Sequence, residues 1–332
     1  MTTEDRFFVI ILTILVVLGF ILNLLLLYLI LYKSPPTLSP YRIFLANTTI
    51  TQLLFAFGAL ISQPRILTSH EYTVVIYLGP IQFYGEWLSY MSYIFILHLS
   101  LNSFISLMLS MVYRFNSVKL RRLGVKPSLI ICIIGYIYCF ILMVSCTQIE
   151  VSRDETINEP IVGNIVPDYR QYNMVLSTDI HQLPLMVLIT MVTIGLLPIY
   201  FVMCWCRFKI YQILKKATTI HNSTTRNNVK RLVNALTIQS IIPVISVFPA
   251  SLLYVLSQMN TIQSGLYGYF IVPSLTISTI VDPLVTIISV IPYRRCVLQL
   301  CHLKYSEVTV SNLEKSRSYG AAGNKLFFIS YQ

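Results

Sequence analysis

Residues 266–303 read LYGYFIVPSLTISTIVDPLVTIISVIPYRRCVLQLCHL. An apolar run long enough to cross a bilayer carries one acid, Asp282, followed at once by Pro283, and it ends in a basic PYRR and an amphipathic coda. A carboxylate at bilayer depth costs about 2.5 kcal/mol or more on insertion scales, so it has to be paired, protonated or hydrated inside a helix bundle. The proline removes a backbone donor, kinks the helix and leaves polar groups that neighbouring helices must satisfy. The stretch therefore reads as a transmembrane helix with a polar hinge, and it requires partners.

The rest of the chain supplies them. Of 332 residues, 55% are hydrophobic and only 11% charged, with mean hydropathy +0.71, too apolar for a soluble domain of this size. Apolar runs predict seven spans, at about 7–31, 42–63, 85–113, 128–149, 183–206, 232–258 and 266–291. The first is too long for the apolar core of a secretory signal. Breaks fall at KSPPTLSP, at Pro64 to Tyr84, at KLRRLGVKP, in a long acidic loop, in a Lys/Arg/Thr/Asn-rich loop and at MNTIQSG. The expected fold is an all-α, seven-transmembrane helix bundle over residues 1–303. A short interfacial helix at about 292–303 follows the last span, and a polar, flexible tail occupies 304–332.

Orientation follows from the cations. With the N-terminus outside, the outer segments hold Arg6, Arg65, Arg153 and Arg170, 4 of the 24 Lys and Arg residues, and the inner ones hold 20. The positive-inside rule then places the C-terminus in the cytoplasm. Basic residues scattered over short loops fit membrane orientation better than a nucleic-acid surface, so no nucleic-acid partner is expected.

None of the seven cysteines falls in an outer loop on this segmentation. Cys132, Cys139 and Cys146 recur every seven residues and read as packing residues on one stripe of span four. The five histidines are scattered without metal-ligand spacing, so neither metal, cofactor nor enzyme activity is expected. His98 reads as a satisfied imidazole in the bundle interior.

Candidate sites divide by depth. Asn23 and Gln52 on spans one and two match the depth of Asp282 and are its expected partners, since the family resemblance given below implies that these spans pack beside span seven. Pro198, Pro243, Pro249 and Pro283 form a set of candidate hinges. Near the outer ends, Trp87, Tyr90, Tyr93, Tyr254, Tyr267 and Phe270 are candidate ligand-pocket walls by residue type and depth. At the inner ends, Arg114, Lys119, Arg121, Arg122, Lys215, Lys216, Arg231, Arg294 and Arg295 make a basic docking face, and Cys296 and Cys301 are candidate palmitoylation sites beside membrane lipids.

The phrases SPPTLSPYRIFLANTTITQLL, YRF, NALTIQSIIPVISVFPASLLY and TISTIVDPLVTIISVIPYRR resemble a G-protein-coupled receptor of rhodopsin-like plan. They more closely resemble the nematode serpentine chemoreceptors, the Str superfamily and its Srd-type family, over about residues 7–303. The resemblance implies a small-molecule chemical ligand, a heterotrimeric G protein as partner, and the plasma membrane of a chemosensory neuron's sensory cilium as location. It also exposes departures. Gln52 stands where such receptors usually carry a sodium-binding Asp, Arg114 lacks a preceding acid to lock it, Thr286 replaces the Tyr that ends the span-seven motif, and the outer disulfide is missing. A transporter or ligand-gated channel is the alternative reading, but several intramembrane charges or broken half-helices are expected there, and only Asp282 qualifies.

Overall fold

The computed structural model describes residues 2–35, 38–68, 72–119, 124–148, 169–218, 223–259 and 265–300. The tail expected at 304–332 lies outside them, as do Arg121, Arg122 and Cys301. The helices are α1 (Thr3–Tyr32), α2 (Ser39–Ser62), α3 (Glu86–Lys119), α4 (Val125–Ser145), α5 (Leu183–Thr193), α6 (Leu196–Thr218), α7 (Ser223–Gln258), α8 (Gly268–Ser289) and α9 (Ile291–Leu300). Among the described residues, seven stretches of helix are long and apolar enough to cross a membrane, with α5 and α6 together forming the fifth. Helix α3 is the most buried and so the centre of the bundle, while α4 and the α5–α6 pair show most of their surface to lipid.

Local chemistry explains where elements stop. Helix α1 starts earlier than hydropathy indicates because Thr2 and Asp5 form a reciprocal capping box. Helix α2 ends at Gln63, which takes a left-handed conformation, and Pro64 next to it disfavours further helix. The fifth span breaks at Ile194 and Gly195. Pro198 has no N–H for the Ile194 carbonyl, which accepts from Leu197 instead, and the helix restarts with Pro198 in its first turn, where a missing donor costs little. By contrast α7 runs unbroken through Pro243 and Pro249, and α8 through Pro273 and Pro283.

The stretch from Pro64 to Tyr84, expected to be a loop, is a hairpin of β1 (Pro64–Thr68) and β2 (Tyr72–Tyr77), paired antiparallel from Pro64↔Tyr77 to Thr68↔Thr73. A third strand, β3 (Val175–Asp179), comes from the connection after α4 and pairs antiparallel with β2, Ile76 opposite Val175. All five residues of β1 and five of the six in β2 are buried. Successive side chains of a strand point to opposite faces, so the sheet is covered on both sides. It joins the bundle in one hydrophobic core, with Ile66, Leu67 and Val74 packed alongside Tyr93, Leu97 and Val272. Gly268 makes the close approach possible, since a Cβ there would overlap the Ile66 carbonyl and the Leu67 side chain.

At the opposite end, α9 is tied back by Tyr293. This side chain is fully buried and its hydroxyl lies 2.5 Å from that of Ser34, in the connection between α1 and α2.

Candidate functional site

The strand-bearing end is closed. Asp5, on the first turn of α1, is fully buried and paired with Arg65 of β1 at 3.2 Å. It also accepts from the hydroxyls of Tyr172 at 2.6 Å and Tyr269 at 2.9 Å. Arg65 in turn donates to the Gly265 carbonyl and lies over the Tyr269 ring, 4.0 Å from its centroid. One carboxylate thus joins α1, the sheet, the segment leading to β3 and the start of α8. Burial, then the bond to Asp5, pushes the Tyr172 phenol up to about 12, so it stays a donor at physiological pH.

Beneath the sheet the tyrosines converge. Tyr93 lies among Tyr77, Tyr90, Tyr254 and Cys146. Tyr90 donates to the Cys146 carbonyl at 3.1 Å, the Tyr254 and Thr73 hydroxyls are 3.0 Å apart, and the Tyr267 hydroxyl bridges both backbone groups of Thr68. Burial raises the Tyr77 phenol well above its ordinary value, so it is a neutral O–H at physiological pH. Of the six expected wall residues, Tyr90, Tyr93, Tyr254 and Tyr267 belong to this cluster. Trp87 and Phe270, 66% and 60% exposed, point away from the interior and are corrected to outward-facing aromatic residues. Deeper down, between α3, α6 and α7, a cavity of about 10 Å³ is lined by Phe104, Ile199, Tyr200, Val247, Phe248 and Ser251. It is roughly the size of one water, so a ligand there has to push the helices apart.

The middle of the bundle is polar. Three hydrogen bonds tie α2 to α3: Asn47 to Ser106 at 2.7 Å, Asn102 to Thr51 at 2.8 Å and Gln52 to Ser103 at 3.4 Å. Gln52 also donates to Asp282 Oδ2 at 2.7 Å, as expected from the matching depths. Asn23 does not reach Asp282. Its amide donates instead to the carbonyls of Gly19, at 2.8 Å, and Thr279, at 2.7 Å. Thr279 lies four residues before Pro283, so its carbonyl is the one that the missing proline N–H leaves without a helical donor, and Asn23 fills the place. Gly19 lets α1 come close enough, since a Cβ there would overlap the Thr279 hydroxyl. His98 is buried against Tyr136, ring centroids 5.3 Å apart, and neither of its ring nitrogens has a hydrogen-bond partner among the described residues, contrary to the expectation of a satisfied imidazole.

At the far end Arg114 turns inward. Its guanidinium donates to Gln239 Oε1 at 3.1 Å and sits 4.7 Å from the Tyr41 ring centroid. The other end of Gln239 lies 3.5 Å from the Thr286 hydroxyl. A neutral amide therefore links α3, α7 and α8, and the arginine has a partner although no acid precedes it in the chain. Of the other expected docking residues, Lys215 and Arg295 are exposed and Arg294 is half-buried. Lys119, Lys216 and Arg231 lie on helices, with side chains, like that of Pro243, outside the described part. Cys296 is a free, half-buried thiol packed beside Tyr293.

Sequence reasoning missed the sheet, Asp5, Arg65 and Pro273. The YTVVIY run, β-branched between aromatics, was the available signal for β2. For Asp5 the available signal was its capping-box spacing from Thr2.

Among the described residues, seven membrane-length helices around a central α3, with the short helix α9 after the last, define a multi-pass membrane protein of the rhodopsin-like plan. The fold is similar to that of squid rhodopsin, with a TM-score of 0.66 over 96% of this chain and 91% of that one, at 12% identity. Residues 8–299 match the family described as "Serpentine type 7TM GPCR chemoreceptor Srd", and the chain belongs to that receptor family. It is 54% identical to serpentine receptor class delta-33 of Caenorhabditis elegans over 95% of this chain and 93% of the relative. Identity to class delta-32 of the same organism is 42%, over 85% and 84% of the two chains.

Proposed function

We propose that this protein is a chemosensory receptor whose strand-bearing end faces outward, where it takes a small external molecule, and whose basic end activates a heterotrimeric G protein. By family resemblance its place is the plasma membrane of a sensory cilium. The observation that carries the reading is the contrast between the two ends. One is closed over a cluster of tyrosines, and the other holds Arg114 by neutral partners amid an excess of cations. The phenols suit an apolar molecule fixed by a few hydrogen bonds. Between the ends run the polar contacts of α2, α3 and α8, through which a rearrangement under the sheet reaches Gln239. A ligand shifts that equilibrium only as far as it binds the active arrangement more tightly.

Two measurements test the reading on expressed protein. An epitope placed within residues 152–171 should be reachable on intact cells, and one at the C-terminus should not. A ligand screen read by G-protein dissociation should yield an agonist. The reverse topology, or ligand-gated current in cells without G proteins, overturns the reading.

A further inference from the structure

A groove of about 460 Å³ lies on the outside of the bundle between α1, α2 and α4, at the end opposite the sheet. Its volume is within the range of small-molecule sites, roughly 300–1,000 Å³. Ile30, Ala46, Cys132 and Tyr136 are among its walls, and Asn47, whose amide is taken by Ser106, lies along it. Leu31, Ile50, Leu129 and Ile133 also line it and are exposed, so the groove opens where the bundle meets lipid, not water. Among the described residues of its lining the one that carries a charge is Arg42, which is exposed.

Depth and charge specify the occupant. Arg42 is in the first turn of α2, a helix of 24 residues that at about 1.5 Å per residue exceeds the roughly 30 Å hydrocarbon core, so its guanidinium sits at headgroup level. From Arg42 to Ile50 the groove runs roughly 12 Å along α2, close to the roughly 15 Å of one leaflet. Tyr136, itself exposed, lines the groove beside Cys132 and Ile133, with its ring edge-on to His98. A guanidinium binds phosphate through paired hydrogen bonds, and the lining holds no acid to repel one.

We propose that this groove is a binding site for one anionic phospholipid, with its phosphate on Arg42 and an acyl chain lying between α2 and α4 as far as Tyr136. The occupant is a lipid of the leaflet at the basic end, and the site is separate from the tyrosine cluster.

The test uses the purified full chain in nanodiscs of phosphatidylcholine alone or with phosphatidylserine, and reads co-purified lipid by mass spectrometry and the unfolding temperature. The expected result is retention of about one phosphatidylserine per chain, with a higher unfolding temperature than in phosphatidylcholine alone. Arg42→Gln should weaken retention roughly fivefold, as expected for one cation at an anionic surface, and Arg42→Lys should keep most of it. Ala46→Phe, which fills the groove and leaves the charge, should abolish retention. If that variant does not fold, the Arg42 pair decides alone. Equal retention of the two phospholipids, preferential retention of an added sterol, or retention unchanged in Arg42→Gln overturns the proposal.

Discussion

The amide of Asn23 lies 2.7 Å from the carbonyl of Thr279, the group that Pro283 deprives of its helical donor. A polar residue on the first span thereby completes the backbone of the last. Replacing Asn23 with Leu should cost about 1–3 kcal/mol, because a buried carbonyl loses its partner. Pro283→Ala supplies an N–H for that same carbonyl, so Asn23→Leu should cost measurably less in a Pro283→Ala background. Unfolding temperatures of the four proteins in one detergent check this, and strict additivity would refute the pairing.

Asp282 has its bond to Gln52 and should tolerate Asn, which keeps an acceptor oxygen, better than Leu, which strands the Gln52 donor. The Leu variant's cost of about 1–3 kcal/mol is of the size of allosteric couplings, so it should shift basal signalling while Asn shifts it less. The check is basal and agonist-driven G-protein activation at matched surface expression. Equal signalling by the Leu variant and the natural chain removes Asp282 from the switch.

Asp5→Ala leaves Arg65 buried without its counter-ion and frees two tyrosine hydroxyls, and should destabilise by about 3–5 kcal/mol. Asp5→Ala combined with Arg65→Met should recover part of that loss, since no lone charge then remains. Thermal unfolding of the purified proteins measures both.

The Tyr172 phenol titrates higher in the folded protein, at about 12, than at its ordinary value of 10.0. A group whose folded pKa is raised contributes stability that is fully present below the unfolded value and disappears as pH rises through the folded one. Unfolding temperature should therefore fall between about pH 10 and 12, and the fall should be shallower in Tyr172→Phe.

Gln239→Glu replaces a neutral acceptor for Arg114 with a carboxylate, which adds the Coulomb attraction of an ion pair to a hydrogen bond whose donor is already charged. On the proposed coupling, basal G-protein activation should drop several-fold with agonist binding retained. Unchanged basal activity would show that this contact does not restrain the resting arrangement.

The spans were legible because an apolar run of about 20 residues has few places to go except a bilayer. The Gln52–Asp282 pair was legible because two polar residues at one depth have few alternative partners. Asn23 misled for a geometric reason: Thr279 is about one helical turn from Asp282, and counting residues from the membrane edge does not resolve one turn. The strands were hidden because β1 and β2 are short and buried on both faces, so neither shows the polar alternation that marks a strand. Trp87 and Phe270 share type and depth with the clustered tyrosines and differ only in the direction they face, which neither type nor depth records.

Asp5 is bonded to residues 60, 167 and 264 positions further along the chain. During synthesis the first helix emerges long before Tyr269 exists, so its buried acid has no complete set of partners until the seventh helix has been made and inserted. Closure of the strand-bearing end is thus a late event in biogenesis, and in a chain truncated before α8 the carboxylate keeps Thr2, Arg65 and Tyr172 as partners but lacks the Tyr269 hydroxyl that ties it to the last span.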